Sequence, residues 1–453
     1  MMTSVPARHS SLIVTVSVIA VLHLGLFFWY LSATIIQQPF ADMYSLVQHY
    51  LSYRAEGGWW DYLWAPHNEH RPVFLRLLTA FDIEMFSGVS YPFVVTATVA
   101  HMGTAWLLWR ECRTGVAGSL GWVLGCVVLM LVLTTVAAVV IAIPIMNNLI
   151  HGLALTVLAV VVFDRAEDAG ALAGQVVYWR RAMALLIACS VPFADAVGWA
   201  IWPILFWIAW RAGAARRWLL TIVGIGLALL IVYLRGLPLT LPVASDAVEQ
   251  GITLADELVR RASYLFTYMG LPWTRAPAFL VPGRLLGAFL FVTAAGAVFW
   301  RGFWLAPSGR LERIAIALTM FSLATAVLAT LGRAHEPEIN GVLVPIRYSV
   351  LLMPLHVGLL WMASPFLNRL WIDRAWSSAV SLGLVGVCAL LLLQQVVAGQ
   401  AAVSNVQRIR ATIERFLAGQ ADADMATVIG EDLEKARREL DAMRRARVYV
   451  GAR

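Results

Sequence analysis

Long apolar runs separated by short arginine-bearing connections dominate the chain, and they have the length of membrane-crossing helices, not the alternation of strands. Segments able to cover roughly 30 Å of hydrocarbon fall at about 11–35, 91–110, 117–143, 147–163, 182–195, 197–210, 218–235, 282–300, 313–332, 348–364 and 376–398. They predict an all-α, polytopic integral membrane protein with about eleven transmembrane helices. The pair 182–195 and 197–210 is short, and the turn from Val191 to Gly198 holds Pro192 and Asp195, so two tilted spans and a re-entrant hairpin both fit it. The run from Ser11 to Ile36 exceeds a signal-peptide core and lacks a small-residue cleavage pattern, which reads as a retained first span.

The polar positions orient these spans. With the N-terminus in the cytoplasm, Arg110, Arg165, Arg181, Arg217, Arg310, Arg369 and their basic neighbours all fall in short inner loops, as the positive-inside bias requires. The first outer loop is then 37–90, with further outer loops at 236–281 and 333–347. Residues 1–398 form the transmembrane domain and 399–453 a periplasmic helical tail, on a chain placed in a bacterial inner membrane. Within the tail, Ile409 to Leu417 and Asp432 to Val448 have apolar residues at helical spacing, predicting two surface helices joined by a linker over 418–424.

Composition narrows the class. At 60% hydrophobic and 13% charged residues, a soluble chain of 453 residues is excluded in favour of a membrane protein. The net charge of +7 rests on arginines at span ends and on the single Lys435, so no nucleic-acid partner follows from it. Cys112, Cys126, Cys189 and Cys388 are scattered, without a disulfide or zinc pattern.

Candidate chemistry concentrates in the first outer loop. Asp42 lies just beyond the first span, at the depth where a lipid-linked substrate presents its phosphate. Tyr44, Leu46, Val47, Tyr50 and Leu51 predict an amphipathic interfacial helix, with Trp59, Trp60 and Trp64 as headgroup anchors or sugar-stacking rings. Asp61, His67, Glu69, His70 and Arg71 follow. Glu69 between two histidines resembles a zinc-protease motif, but Pro66 and Pro72 bracket the run and forbid the helix which that motif needs. A polar cluster that holds sugar hydroxyls and phosphate oxygens fits better, Arg71 supplying charge-assisted hydrogen bonds; a network that only fastens the loop is the plainer alternative. A divalent cation is the one cofactor left open, with His67, His70 and His335 as its candidate ligands beside Glu336 and Glu338. Asp195 either lines the cavity or caps a helix. Arg260, Arg261, Tyr264 and Tyr268 suggest another interfacial helix.

A first span followed by an outer loop with Phe40-Ala41-Asp42, the run His67-Asn68-Glu69-His70-Arg71, and Gly332-Arg333 with Arg347-Tyr348 before a late span resembles the GT-C superfamily of membrane glycosyltransferases. The resemblance covers the organisation of about 1–400 and implies a polyprenyl-phosphate-linked sugar donor, a glycan or lipid acceptor and an outer-face site within membrane lipids. Many family members carry two adjacent acidic residues in this loop, whereas Asp42 stands alone. Transfer to a hydroxyl needs a carboxylate base, for which Asp42 comes first, Glu69 second and Asp61 third. The leaving phosphate needs fixed cations, Arg347 beside Tyr348 first, with Arg333, Arg284 and Arg71 in reserve. A polar-lipid flippase or transporter would instead carry charges deep in several spans, and an outer-face ligase or acyltransferase shares the architecture.

Overall fold

A computed structural model of the chain describes residues 7–39, 42–67, 70–168, 175–237, 253–271, 280–305, 307, 309–334, 344–373, 375–420 and 433–449. Among these, every regular element is helical, and a single isolated bridge pairs His67 with His70. The first helix, α1 (Ala7–Thr34), is followed by three short ones beyond its end, α2 (Met43–Glu56), α3 (Trp59–Trp64) and α4 (Val73–Phe86). The bundle continues with α5 (Tyr91–Gly115), α6 (Gly118–Val132), α7 (Thr135–Ala142), α8 (Asn147–Asp168), α9 (Gln175–Ala194), α10 (Ile201–Arg211) and α11 (Arg216–Leu234). It ends with α12 (Leu254–Met269), α13 (Leu280–Ala297), α14 (Arg310–Arg333), α15 (Met353–Ile372), α16 (Ser377–Leu417) and α17 (Leu433–Ala446).

Among the described residues, seven helical stretches are long and apolar enough to cross a membrane: Ser10–Thr34, Pro144–Asp168, Arg216–Leu234, Leu280–Trp304, Arg310–Arg333, Ile346–Ile372 and Ser377–Leu417. The pair α6 and α7, bent by 43°, makes eight if it is one span. This is the pattern of a multi-pass membrane protein, with fewer self-evident spans than the eleven expected. The other expected spans are helical too, but α5 carries Arg110, Glu111 and Arg113 in its last turns, and Ala196–Arg211 is a shorter apolar helix. Large apolar side chains such as Trp29, Leu220, Ile231, Phe289 and Leu393 are exposed on the spanning helices, as lipid-facing positions are.

The bend between α6 and α7 explains two isolated histidines. Breaking a helix among apolar neighbours frees backbone groups that only protein can satisfy. The Val132 carbonyl accepts from His101 Nε2 at 3.0 Å and the Leu133 carbonyl from His23 Nε2 at 2.9 Å. Gln395 of α16 donates to the same Leu133 carbonyl at 3.3 Å and accepts from the Thr135 amide at 2.7 Å.

At one end of the bundle, buried carboxylates face the arginines that the loop pattern assigns to the inner side. Glu111 pairs with Arg165 and Arg310, Asp164 with Arg310 at 3.1 Å and Arg313 at 2.8 Å, and Glu167 with Arg181 at 2.7 Å. These arginines therefore tie α5, α8, α9 and α14 together as well as marking topology; removal of one partner would leave a buried charge uncompensated.

The short helices and the tail gather at the opposite end. α2 buries Met43, Tyr44, Leu46, Val47 and Tyr50 against α4 and α17, so the face expected to lie on lipid is covered by protein. Of the three expected tryptophan anchors, only Trp60 is exposed. Trp59 packs on Tyr53 and Tyr62, and Trp64 on Phe193. The tail is also built differently from the expectation. Residues 409–417 are not a separate helix but the last turns of α16, which runs unbroken for 41 residues through the 398/399 boundary. Nothing between Val396 and Leu417 breaks a helix except Gly399, and that glycine is where Tyr30 of α1 packs, since a Cβ there would meet the tyrosine ring at 2.0 Å. The expected linker over 418–424 lies outside the described residues from 421 onward. α12 is amphipathic as expected, opened by a Thr253–Asp256 capping box, and its Arg260 and Arg261 both pair with Glu257.

Candidate functional site

The site is assembled from the loop around α2 to α4, the turn between α9 and α10, and the two ends of the segment joining α14 to α15. Asp42 occupies the position before α2 where a side chain commonly caps the helix, yet its carboxylate makes no cap bond. It is about half exposed, at 48%, and meets His67 Nε2 at 3.4 Å through Oδ2. That hydrogen bond is the main reason why the Asp42 carboxyl lies below the usual aspartate range; burial opposes it, and the charges of His67, Arg347 and His70 assist.

His67 is held by the backbone. Its amide donates to the His70 carbonyl at 2.8 Å, and the His70 amide returns a bond at 3.2 Å, with the rings 5.8 Å apart and edge-on. Pro66 and Pro72 prevent a helix here, and His67 and His70 pair instead through a single isolated bridge. Burial pushes the His70 imidazole down to about 4, with the positive fields of His67 and Arg333 next in weight, so it is neutral at physiological pH.

Two arginines hold this hairpin from below. Arg76, fully buried on α4, donates to the carbonyls of Tyr62 at 2.7 Å, Leu63 at 3.3 Å, Ala65 and Pro66 at 3.3 Å, which closes the C-terminal end of α3. Arg71 is also buried. It donates through Nε to the Tyr233 carbonyl at 2.9 Å and through its two terminal nitrogens to Trp64 and Arg235, while stacking on Trp64. This corrects the expectation that Arg71 faces substrate. Its donors are committed to main-chain carbonyls, and it fastens the loop to the end of α11.

Asp195 stands in the turn beyond α9 and α10. Its Oδ1 accepts from the Val197 amide at 3.0 Å and its Oδ2 from Asn148 Nδ2 at 2.8 Å. Gly152 permits this approach, because a Cβ there would come within 3.0 Å of the aspartate Cβ. Burial pushes the Asp195 carboxyl up to about 6, and the fields of Arg333 and Arg347 pull it down only in part. It therefore caps the 3-10 turn Ala196–Ala200 and also belongs to the charged cluster.

Arg347 completes the arrangement. No hydrogen bond or ion pair holds its guanidinium among the described residues. It lies over the Tyr348 ring at 5.4 Å, and that ring stacks on Tyr268 at 5.9 Å. Arg333, the last residue of α14, acts on both His70 and Asp195. Electrostatic influence thus links Asp42 to His67, His70 and Arg347, His70 to Arg333, and Asp195 to Arg333 and Arg347.

Asp61 is not part of the cluster. It is exposed in the first turn of α3, its carboxylate beside the Gly58 turn. Glu69 and His335, with Glu336 and Glu338, lie outside the described residues. Among those described, no group of three histidine, cysteine or acidic side chains is placed to hold a metal ion. Sequence reasoning missed Arg76 and Asn148. An arginine inside the apolar run Val73-Phe74-Leu75-Arg76-Leu77-Leu78 was the available signal for the first, and a paired Asn147-Asn148 opening an apolar helix for the second. No protein-family model, curated protein or solved structure matches the chain.

Proposed function

We propose that the chain is a GT-C-type glycosyltransferase that moves a sugar from a polyprenyl-phosphate carrier to a hydroxyl of a cell-surface glycan or lipid on the outer face of a bacterial inner membrane. Under this reading, α5, α9 and Ala196–Arg211 join the seven apolar stretches and the bent pair as spans, giving eleven. An odd number puts the two termini on opposite sides, and the arginine bias then puts the N-terminus inside and the tail outside.

The observation that carries the proposal is the combination of a carboxylate not engaged in capping, Asp42, with a guanidinium, Arg347, that has no hydrogen-bonding partner among the described residues and whose field reaches Asp42. Asp42 accepts the acceptor hydroxyl's proton as the new bond to the anomeric carbon forms. The bond from that carbon to the carrier phosphate breaks, and its electron pair leaves with the phosphate, which Arg347 and Arg333 neutralise. Asp195, held by Asn148, lies in the field of the same two arginines. A flippase reading draws less support: the histidines deepest in the spans, His23 and His101, are committed to the α6–α7 bend.

The test is transfer from a radiolabelled polyprenyl-phosphate sugar by the purified protein. Asp42→Asn and Arg347→Ala are each expected to lower the rate by about 100-fold or more. Full-rate transfer by Asp42→Asn would remove Asp42 as the base.

A further inference from the structure

We infer that His67 is a positioning residue that ties one oxygen of the Asp42 carboxylate and so leaves the other directed at the acceptor hydroxyl. The role in transfer rests on the glycosyltransferase reading; the pairing itself does not. The Asp42 carboxylate has one hydrogen-bond partner among the described residues, His67 Nε2 at 3.4 Å from Oδ2. A carboxylate only accepts, so the His67 proton sits on Nε2 and donates. With Oδ2 held, Oδ1 is the oxygen that can take a proton from an incoming hydroxyl. A carboxylate that rotated freely at 48% exposure would present either oxygen to solvent.

The imidazole can do this because its backbone is immobilised. The His67–His70 bridge fixes the ends of the hairpin, Arg76 binds the carbonyls of Ala65 and Pro66 just before it, and Arg71 binds just after it. The ring is only 14% exposed, so few rotamers are open to it. A catalytic side chain held by a rigid second residue matters because a displacement of about 1 Å can cost up to about 100-fold in rate. Two other roles for His67 fit less well. As a metal ligand it lacks a third donor among the described residues. As a direct substrate contact it would have to turn Nε2 away from Asp42.

Among the described residues, the charged and titratable groups around the pair are His70, Arg76 on α4, Arg333 at the end of α14, Arg347 before α15 and Asp195 in the α9–α10 turn. The three arginines only donate, the neutral His70 ring stands edge-on to His67 at 5.8 Å between centroids, and Asp195 is engaged by Asn148 and Val197.

The experiment uses full-length protein in lipid nanodiscs and two readouts. The first, which needs no substrate, is carbodiimide labelling of Asp42 followed by mass spectrometry across pH, because the reagent takes the protonated carboxyl. In His67→Ala the labelling midpoint should rise by about one pH unit, while His67→Gln, which keeps a donor, should stay near the wild type. The second is the split between kcat and KM with a polyprenyl-phosphate sugar. kcat should fall up to about 100-fold in His67→Ala with KM unchanged, and should be largely restored in His67→Gln. If His67→Ala does not fold, His67→Asn, whose amide is too short to reach, takes its place. An unmoved Asp42 midpoint overturns the inference, as does a KM effect with kcat intact. A shifted midpoint in a protein that transfers no sugar supports the pairing and instead removes the glycosyltransferase reading.

Discussion

Tyr449 Oη donates to Asp82 Oδ2 at 2.8 Å across 367 positions of chain, so the last described residue of the tail is bonded to the first polar loop. Asp82 is fully buried and also accepts from the amides of Val89 and Ser90. Burial raises its carboxyl above the usual range, and these three donors offset that only in part. A raised acid favours the folded state at low pH and loses that contribution as pH climbs through the folded value. Tyr449→Phe removes one donor from the ionised form and should destabilise by about 1–3 kcal/mol. The loss should be larger at pH 7 than at pH 4. Thermal unfolding of the detergent-solubilised protein at the two pH values measures it.

Arg76 is expected to matter more for stability than any single charge on the surface. Its guanidinium reaches four consecutive-turn carbonyls at the end of α3, so Arg76→Ala leaves buried acceptors without donors and should destabilise by about 3 kcal/mol or more. Arg76→Lys should recover little, because a single ammonium cannot span that fan of oxygens. Limited proteolysis between 57 and 72 would report the released hairpin, and equal protection in all three proteins would count against the clamp.

The helices were legible because their signal is local. Hydropathy and spacing put helices where the structure has them, seven or eight of them, among the described residues, long and apolar enough to cross a membrane, and the capping residues of α12 stand three positions apart in the chain. Asp42, Arg333 and Arg347 are legible as charged positions near span ends, and His67 and His70 as part of the polar run of the first outer loop; the fields of Arg347 on Asp42 and of Arg333 on His70 connect the two groups. What sequence could not supply was direction. Arg71 looked like a ligand contact because charge-assisted bonds are a property of the residue type, but whether its donors face a substrate or the Tyr233 carbonyl is decided 162 residues away. The same holds for His101 and His23. Their partners, the Leu133 carbonyl for His23 and the Val132 carbonyl for His101, lie 110 and 31 positions away along the chain.

That bend gives a third prediction. Gln395 is buried, serves both Thr135 and Leu133, and lies on the face of α16 turned toward α7. Gln395→Leu keeps most of its volume but orphans an amide and weakens a carbonyl's satisfaction in surroundings with no water. A loss of about 1–3 kcal/mol is expected. Gln395→Glu should be at least as harmful, since it adds a charge that meets no cation there. Unfolding curves in mild detergent with increasing dodecyl sulfate would rank the three proteins, and a wild-type curve for Gln395→Leu would show that the bend is held by packing alone.

His70 should make the outer loop acid-sensitive. Its imidazole titrates at about 4 in the folded chain against 6.5 for the free side chain, because burial and the neighbouring positive charges oppose protonation. The sign follows from the depressed value. The unfolded chain binds a proton that the folded chain does not, so the neutral-His70 contribution is complete above about pH 6.5 and is lost progressively as pH falls toward 4. The total amounts to about 3 kcal/mol at most. Asp82, whose folded carboxyl is raised, contributes in the opposite direction over part of the same range, so the wild-type curve alone does not isolate the histidine. The difference between wild type and His70→Gln does. His70→Gln should be the less stable protein or its equal at pH 7, should lose less on acidification to pH 4.5, and should keep Asp42 labelling near the wild-type midpoint because His67 remains in place. A pH dependence identical to that of the wild type would show that His70 is protonated as readily in the fold as out of it.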